Sequence, residues 1–190
     1  MPVRRSRTVL QMSEATLTVG SMILTDQGER PVEDLKPGQL VVTKNLGLQK
    51  LRYVALQDVD LTEFPQLSPI KINAGRFGFE KDTFFHPSQH IAVRQPLFDM
   101  MFGSSEVLLR CGELLDQPGF SQICGLASLT YVALGFPHHH VVICNGAPVD
   151  VGPTNRMTSR ISLGPKETRL AIQLLSPRVT SPKRHSFPLH

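Results

Sequence analysis

Turn signals at short and regular intervals constrain this chain more than any other sequence feature. Gly and Pro residues interrupt short apolar runs at Asp26–Gly28, Lys36–Gly38 and Asn45–Gly47. Turns about 8–12 residues apart are typical of an all-β sandwich or barrel. The 190 residues include 15 Pro and 14 Gly, a content that long helices rarely tolerate. We therefore predict an all-β domain, with strands within 16–25, 32–35, 40–43, 51–56, 70–72, 91–93, 107–109, 129–134 and 141–144.

The basic charge of the chain lies at its two ends. Residues 17–150 carry ten basic and fourteen acidic side chains, a net charge of −4, whereas the whole chain carries +4. We therefore expect a basic N-terminal arm (1–13), a β domain (14–151) and a C-terminal extension (152–190). Pro165 and the apolar residues up to Leu175 predict a short helix over 165–175 in that extension. A flexible basic tail follows, and its charge suits an acidic partner or a nucleic acid.

The sequence also predicts the compartment. No stretch approaches the roughly 20 apolar residues of a membrane span, and no apolar region follows the N-terminal arginines as in a secretory signal. We expect a cytoplasmic protein with no membrane partner. Cys111, Cys124 and Cys144 are widely spaced and odd in number, which favours free, buried thiols over disulfides. No motif indicates a cofactor, and the oligomeric state is left open.

Several blocks of sequence resemble one known family. The run GSMILTDQGERPVEDLKPGQLVVT, from Gly20 to Thr43, is similar to the opening of hedgehog/intein (Hint) domains, which read Val-Glu-x-Leu-x-x-Gly-Asp-x-Val-x-Thr. Three further blocks follow in the family's order: Ser68–Gly75, Pro87–His90 with Ile-Ala-Val after it, and Tyr131–Leu134 leading to His139–Gly146. The run Phe102–Leu109 also resembles the bacterial branch of the family. The resemblance covers residues 14–151.

The resemblance implies a fold and an activity. Hint domains are horseshoes of short β-strands with pseudo-twofold symmetry, and they process themselves. The first residue of the domain, a Cys or Ser, attacks the preceding carbonyl and exchanges an amide bond for a (thio)ester. Such a reaction needs a nucleophile, an acid for the leaving nitrogen and donors for the oxyanion.

Carried over by position, the resemblance assigns residues to these roles. Thr16, four residues before Gly20, stands at the nucleophile position, so the substrate is the chain's own Ala15–Thr16 junction. His90 and His139 stand at histidine positions of the family. Pro87 stands where the family has a hydroxyl, and the adjacent Ser88 is the candidate replacement.

The departures from the family pattern limit the expected chemistry. A Thr hydroxyl is far less acidic than the usual Cys thiol, and its β-branch restricts the rotamer. No His-Asn pair followed by Cys, Ser or Thr ends the domain, which argues against Asn cyclisation and protein splicing. We therefore expect N-terminal self-cleavage at most, attenuated or absent.

Two other functions stay open from the residues alone. The β-scaffold can act as a non-catalytic binding module. Alternatively, His86, His138 and His140 bind a metal, since alternation along a strand would place His138 and His140 on one face. The acidic stretch Asp58–Glu63 lacks the pattern of a calcium loop and predicts a solvated loop.

Overall fold

The computed structural model describes residues 16–44, 46–151 and 161–175. Short β-strands dominate the described part of the chain, in agreement with the density of turns in the sequence. The strands are β1 (Leu17–Thr18), β2 (Met22–Thr25), β3 (Gly28–Pro31), β4 (Leu40–Thr43), β5 (Gly47–Lys50), β6 (Tyr53–Asp60), β7 (Ile70–Ile72), β8 (Thr83–Phe85), β9 (His90–Arg94), β10 (Glu106–Arg110), β11 (Phe120–Gln122), β12 (Ser128–Gly135), β13 (His140–Cys144), β14 (Ala147–Val151) and β15 (Ile161–Ser162). The α-helices are α1 (Pro96–Phe102) and α2 (Pro165–Leu175).

The strands form two sheets. The first sheet has the order β11-β7-β8-β1-β12-β6, and the second has the order β15-β10-β9-β14-β13-β2-β4-β5, with β3 paired to β2. Strand β1 lies inside the first sheet, where Leu17 pairs antiparallel with both Val132 of β12 and Phe85 of β8. The connection from β1 to β2 then carries the chain from the first sheet into the second.

A single large apolar core joins the two sheets. Leu17 and Phe85 of the first sheet share this core with Ile23, Ile91 and Val142 of the second, and all five side chains are at most 1% exposed. Helix α2 contributes Ala171 and Ile172 to the same core. Because burial of apolar area is the main favourable term in folding, the core fixes both sheets and α2 as one unit.

The predicted all-β class and the short C-terminal helix are confirmed, while several local predictions are wrong. Residues 16–25 form two strands separated by a turn, not one. The segment predicted as a strand at 32–35 is a 3-10 turn over Val32–Asp34. Helix α1 was not expected; Pro96 starts it and Gly103, at φ 71°, ends it, as Pro and Gly commonly do.

Two further predictions are corrected by long-range pairing and burial. Asp58 and Asp60, expected in a solvated loop, lie in β6 at the edge of the first sheet, where charged side chains are common. Cys111 and Cys144 are buried, but Cys124 is exposed, and all three thiols are free.

Some predictions fall outside the described residues. The basic arm (1–13) and the basic tail after residue 175 belong to this group. Within the described ranges, neither helix has the length and apolar character needed to cross a bilayer.

Candidate functional site

Thr16 directly precedes β1, between β8 and β12. Its carbonyl accepts a hydrogen bond from the backbone N–H of His86, at 2.9 Å. Leu17 pairs with Phe85 and with Val132, so the antiparallel register places Thr16 opposite His86 on one side and Ala133 on the other. Residues directly opposite each other direct their side chains to the same face. Thr16 therefore shares a face of the first sheet with His86.

A carboxylate fixes the end of β1. Both oxygens of Glu33 accept hydrogen bonds from the backbone N–H of Gly20, at 2.9 and 3.1 Å. Gly20 adopts φ 84°, a conformation that favours glycine. Gly20 and Glu33 both belong to the Gly20–Thr43 sequence block, and their contact directs the chain from β1 into the second sheet.

Gln89 is the residue that contacts the Thr16 side chain. The Thr16 hydroxyl donates a hydrogen bond to Oε1 of Gln89. The amide nitrogen of Gln89 donates to the carbonyls of His90, at 2.6 Å, and Asp150, at 2.8 Å. Gln89 is 1% exposed, so this amide is a buried and fully bonded link between the start of β1 and the second sheet. Sequence reasoning did not single out Gln89.

His86 lies beside Thr16 with a fixed ring. Its Nδ1 atom is 2.6 Å from Oγ of Ser88 and accepts a hydrogen bond from the Ser88 backbone N–H at 3.1 Å. The ring packs edge-on against Tyr131, with centroids 4.9 Å apart. Burial, assisted by the positive charge of Arg110, lowers the pKa of His86 to about 4. The imidazole is therefore neutral at physiological pH.

His90 lies one residue beyond Gln89, in β9. Ile91 and Val93 point into the main core, while Ala92 packs with Leu108 and Val141 on the other face of the second sheet. Alternation along the strand places His90 on the face of Ala92. Burial, then the charge of the facing Arg110, lowers the pKa of His90.

His139 and Asp150 contact each other near His90. Nδ1 of His139 is 3.4 Å from Oδ2 of Asp150, and both side chains are largely buried. Val149 pairs with Ile91, so the antiparallel register places Asp150 opposite His90. Electrostatic interaction with His139 contributes to the lowered pKa of His90, which agrees with this proximity. The structure thus brings His90 and His139 together around Asp150, whereas the polar contacts of Thr16 go to Gln89 and His86.

The three histidines of the metal hypothesis have different surroundings. The prediction that His138 and His140 share a strand face is wrong, because strand β13 begins only at His140. His138 is exposed, and the buried His140 packs edge-on against Phe136 at 5.2 Å. His86 is bonded to Ser88. In the described part of the chain, no group of three or more His, Cys, Asp or Glu side chains is placed to hold a metal ion.

Asn145 and Gly146 form the two-residue turn between β13 and β14. Their φ values are 48° and 84°, and Cys144 pairs with Ala147 across the turn. Asn-Gly is the strongest sequence signal for such a hairpin, and it was available in the sequence. The Asn145 side chain accepts from the N–H of Met22 and donates to Oγ1 of Thr83, both at 2.9 Å.

One family model matches the chain, that of the Hint domain, over residues 15–151. None of the curated proteins is detectably similar to it. The solved structures that are similar to the chain at low identity include an intein-like domain and two inteins. The intein-like bacterial domain from Clostridium thermocellum is 12% identical, with coverage of 70% of this chain and 96% of its own, at a TM-score of 0.48.

The gp41-1 intein is 11% identical, with coverage of 73% and 98% and a TM-score of 0.44. The MchDnaB-1 intein is 8% identical, with coverage of 70% and 98% and a TM-score of 0.43. At these TM-scores the three structures add no argument about function, and the assignment depends on the family match, which spans most of the chain. The chain belongs to the Hint-domain family.

Proposed function

We propose that this Hint domain is an attenuated self-processing module that cleaves its own chain before Thr16. Oγ1 of Thr16 bonds to the carbonyl carbon of Ala15, and the bond between that carbon and the Thr16 nitrogen breaks. The hydroxyl proton is lost and the nitrogen gains a proton, so an ester and a free amine replace the amide. Water then hydrolyses the ester and releases residues 1–15.

The contact between Thr16 and Gln89 carries this proposal. The hydrogen bond to the buried amide of Gln89 holds the Thr16 hydroxyl in one orientation, directly before β1. A fixed rotamer reduces the entropy that the attack would otherwise lose. The position of Thr16 one residue into the family match agrees with a nucleophile at the start of the domain.

The same contact supports attenuation. The oxygen of an amide side chain is a hydrogen-bond acceptor but a very weak base, so Gln89 does not remove the hydroxyl proton. An alcohol is also much less acidic than the thiol of the usual Cys. We infer that the reaction is slow because the nucleophile is held in place without being activated. His90, Ser88 and His139 remain the proton-transfer candidates by family position.

Intact-mass spectrometry of the full chain tests the proposal. We expect Thr16→Cys to lose residues 1–15 in the presence of hydroxylamine, which attacks the thioester, and the unchanged chain to do so slowly. Thr16→Ala is the matched control, because it cannot form an ester and must stay whole.

The alternative function is a non-catalytic binding module. If the unchanged chain and Thr16→Cys both keep their full mass in hydroxylamine, self-processing is excluded and the non-catalytic binding module is supported. Cleavage at any bond other than Ala15–Thr16 would also contradict the proposed role of Thr16.

A further inference from the structure

The imidazole opposite Thr16 belongs to His86, four residues before the family-assigned His90. The backbone hydrogen bond between His86 and Thr16, together with the register of β1 and β8, places both side chains on one face of the first sheet. Tyr131 lies on this face too, since it pairs with Thr18, and its ring contacts that of His86. Three observations thus agree on the position of the ring.

The two ring nitrogens of His86 have different surroundings. Nδ1 is engaged by the backbone N–H and the hydroxyl of Ser88. A nitrogen that accepts from a backbone N–H carries no proton itself, so the proton of the neutral ring is on Nε2. Nε2 is buried and has no hydrogen-bond partner among the described residues, and His86 as a whole is 6% exposed. Buried polar atoms without hydrogen-bond partners are few in native proteins, and a catalytic role is one explanation for them. Both ring nitrogens of His139 share this state among the described residues, but His139 is not paired with Thr16.

We propose that His86, through Nε2–H, is the proton donor to the Thr16 nitrogen when the Ala15–Thr16 bond breaks. The inference deepens the self-processing function proposed above and depends on it. It assigns the donor role to a residue that the family pattern does not mark. Ser88 then supplies a proton to Nδ1 of the same ring.

The proton balance closes without a charged imidazole. The Thr16 oxygen bonds to the Ala15 carbonyl carbon and loses its proton to solvent. The departing nitrogen takes the proton of Nε2, while Nδ1 takes the proton of the Ser88 hydroxyl, which solvent replaces. The ring ends as the other neutral tautomer. This route suits a buried ring, because burial penalises the charged form.

The surroundings of His90 support the choice of His86. His90 lies beside Arg110, Asp150 and His139 on a face of the second sheet, while the residue next to it, Gln89, reaches Thr16. Pro87 separates the two histidines in sequence, and its carbonyl accepts from the N–H of Gly112 at 2.9 Å. A Cβ on Gly112 would lie 3.0 Å from that carbonyl, so the loop is held closely against the end of β10.

The test uses the full chain carrying Thr16→Cys, in which the nucleophile is no longer limiting. His86→Asn keeps an acceptor near the Nδ1 position for Ser88 but has no atom at Nε2. We expect it to slow the hydroxylamine-dependent loss of residues 1–15 at least tenfold. Ser88→Ala should slow it less, since solvent can supply the proton to Nδ1. His138→Asn, at an exposed site, is the matched control and should leave the rate unchanged.

The outcomes separate the inference from the function on which it depends. If Thr16→Cys cleaves and His86→Asn cleaves equally fast, His86 is not the donor although the module is active. If only His90→Asn abolishes cleavage, the donor is the family-assigned histidine and the inference is overturned. If Thr16→Cys itself stays whole, both proposals fail. If His86→Asn does not fold, His86→Ala, which also has no atom at the Nε2 position, replaces it, and thermal unfolding checks that this variant is folded.

Discussion

The hydroxyl of Thr16 donates a hydrogen bond to the side-chain oxygen of Gln89, 73 residues further along the chain. The nitrogen of the same amide bonds the carbonyls of His90 and Asp150. One buried side chain therefore connects the candidate nucleophile in the first sheet to two strands of the second. The candidate site and the stability of the fold depend on the same residue.

Replacing Gln89 should destabilise the fold. Gln89→Ala leaves two buried carbonyls and the Thr16 hydroxyl without their partner, and we expect a loss of about 2–4 kcal/mol in the free energy of unfolding. Gln27→Ala, on an exposed turn, is the matched control and should change it by less than about 0.5 kcal/mol. Urea denaturation measures both. Equal midpoints for the two variants would contradict the structural role of Gln89.

The stability of the protein should depend on the protonation of His86. The unfolded chain binds a proton near pH 6.5, whereas the folded chain binds it only near pH 4, so the unfolded state holds more protons between these values. Stability should therefore be full above about pH 6.5, fall by about 3 kcal/mol as pH decreases to about 4, and level off below that. Urea unfolding from pH 4 to 8 measures this slope.

The contribution of His86 is the difference between two pH profiles. The pKa of His90 is also lowered, so it adds a slope of the same sign. The His86→Asn variant should retain only the remaining slope. Parallel profiles for the variant and the unchanged chain would show that His86 does not titrate as the structure indicates.

The turn at Asn145 should combine backbone and side-chain effects. Asn145→Ala loses one buried and one part-buried hydrogen bond and places alanine at φ 48°, so we expect a destabilisation of about 2–4 kcal/mol. Asn145→Gly loses the same bonds but tolerates the angle, and should be about 1 kcal/mol more stable than the alanine variant. Thermal unfolding compares them, and a glycine variant less stable than the alanine variant would contradict this account.

The three cysteines should differ in reactivity. Burial raises the pKa of Cys144 to about 12 and raises the pKa of Cys111 as well, whereas Cys124 is exposed. Because the thiolate is the reactive form, one thiol should react rapidly with a disulfide reagent in the folded protein and three after denaturation. Cys124→Ser is the control that should remove the rapid phase. Rapid reaction of a second thiol would show that the core opens readily.

The basic segment after residue 175 is expected to contact nucleic acid or an acidic partner. A truncated chain should still include α2, because its Ala171 and Ile172 lie in the core, and α2 ends at Leu175. A chain that ends at residue 175 should keep its unfolding midpoint but lose any DNA binding that the full chain shows, with the loss greatest at low salt. Equal DNA affinity for the two chains would place the binding elsewhere.

Local signals were predicted well from the sequence. Helix α2 matches the predicted 165–175, because Pro at its first turn and the apolar spacing after it act within one helix. Strand β7 also matches the predicted 70–72, because the alternation of apolar and polar side chains from Ile70 to Ile72 is a local pattern. The sequence motifs also identified the Hint family, which the family match confirms.

Predictions that needed a distant partner were less accurate. Asp58 and Asp60 are strand residues because β6 pairs along its whole length with β12, and Thr130 donates to the Asp58 carboxylate at 2.5 Å. The metal hypothesis grouped His138 with His140 by their spacing, although the strand that would align them starts only at the second of the two. Spacing in sequence does not determine where a strand begins, since the hydrogen bonds come from other strands.

The sequence by itself determined the all-β class, the family and the candidate nucleophile at Thr16, because turn residues, alternation and linear motifs are local properties. Only the tertiary structure decided which side chains surround that nucleophile. Gln89 and His86 meet Thr16 through pairing between β1 and β8 and burial between two sheets, and neither leaves a pattern within a short stretch of sequence. His90, marked by its motif, is the first residue of β9 and faces Arg110, whereas the residue before it, Gln89, contacts Thr16.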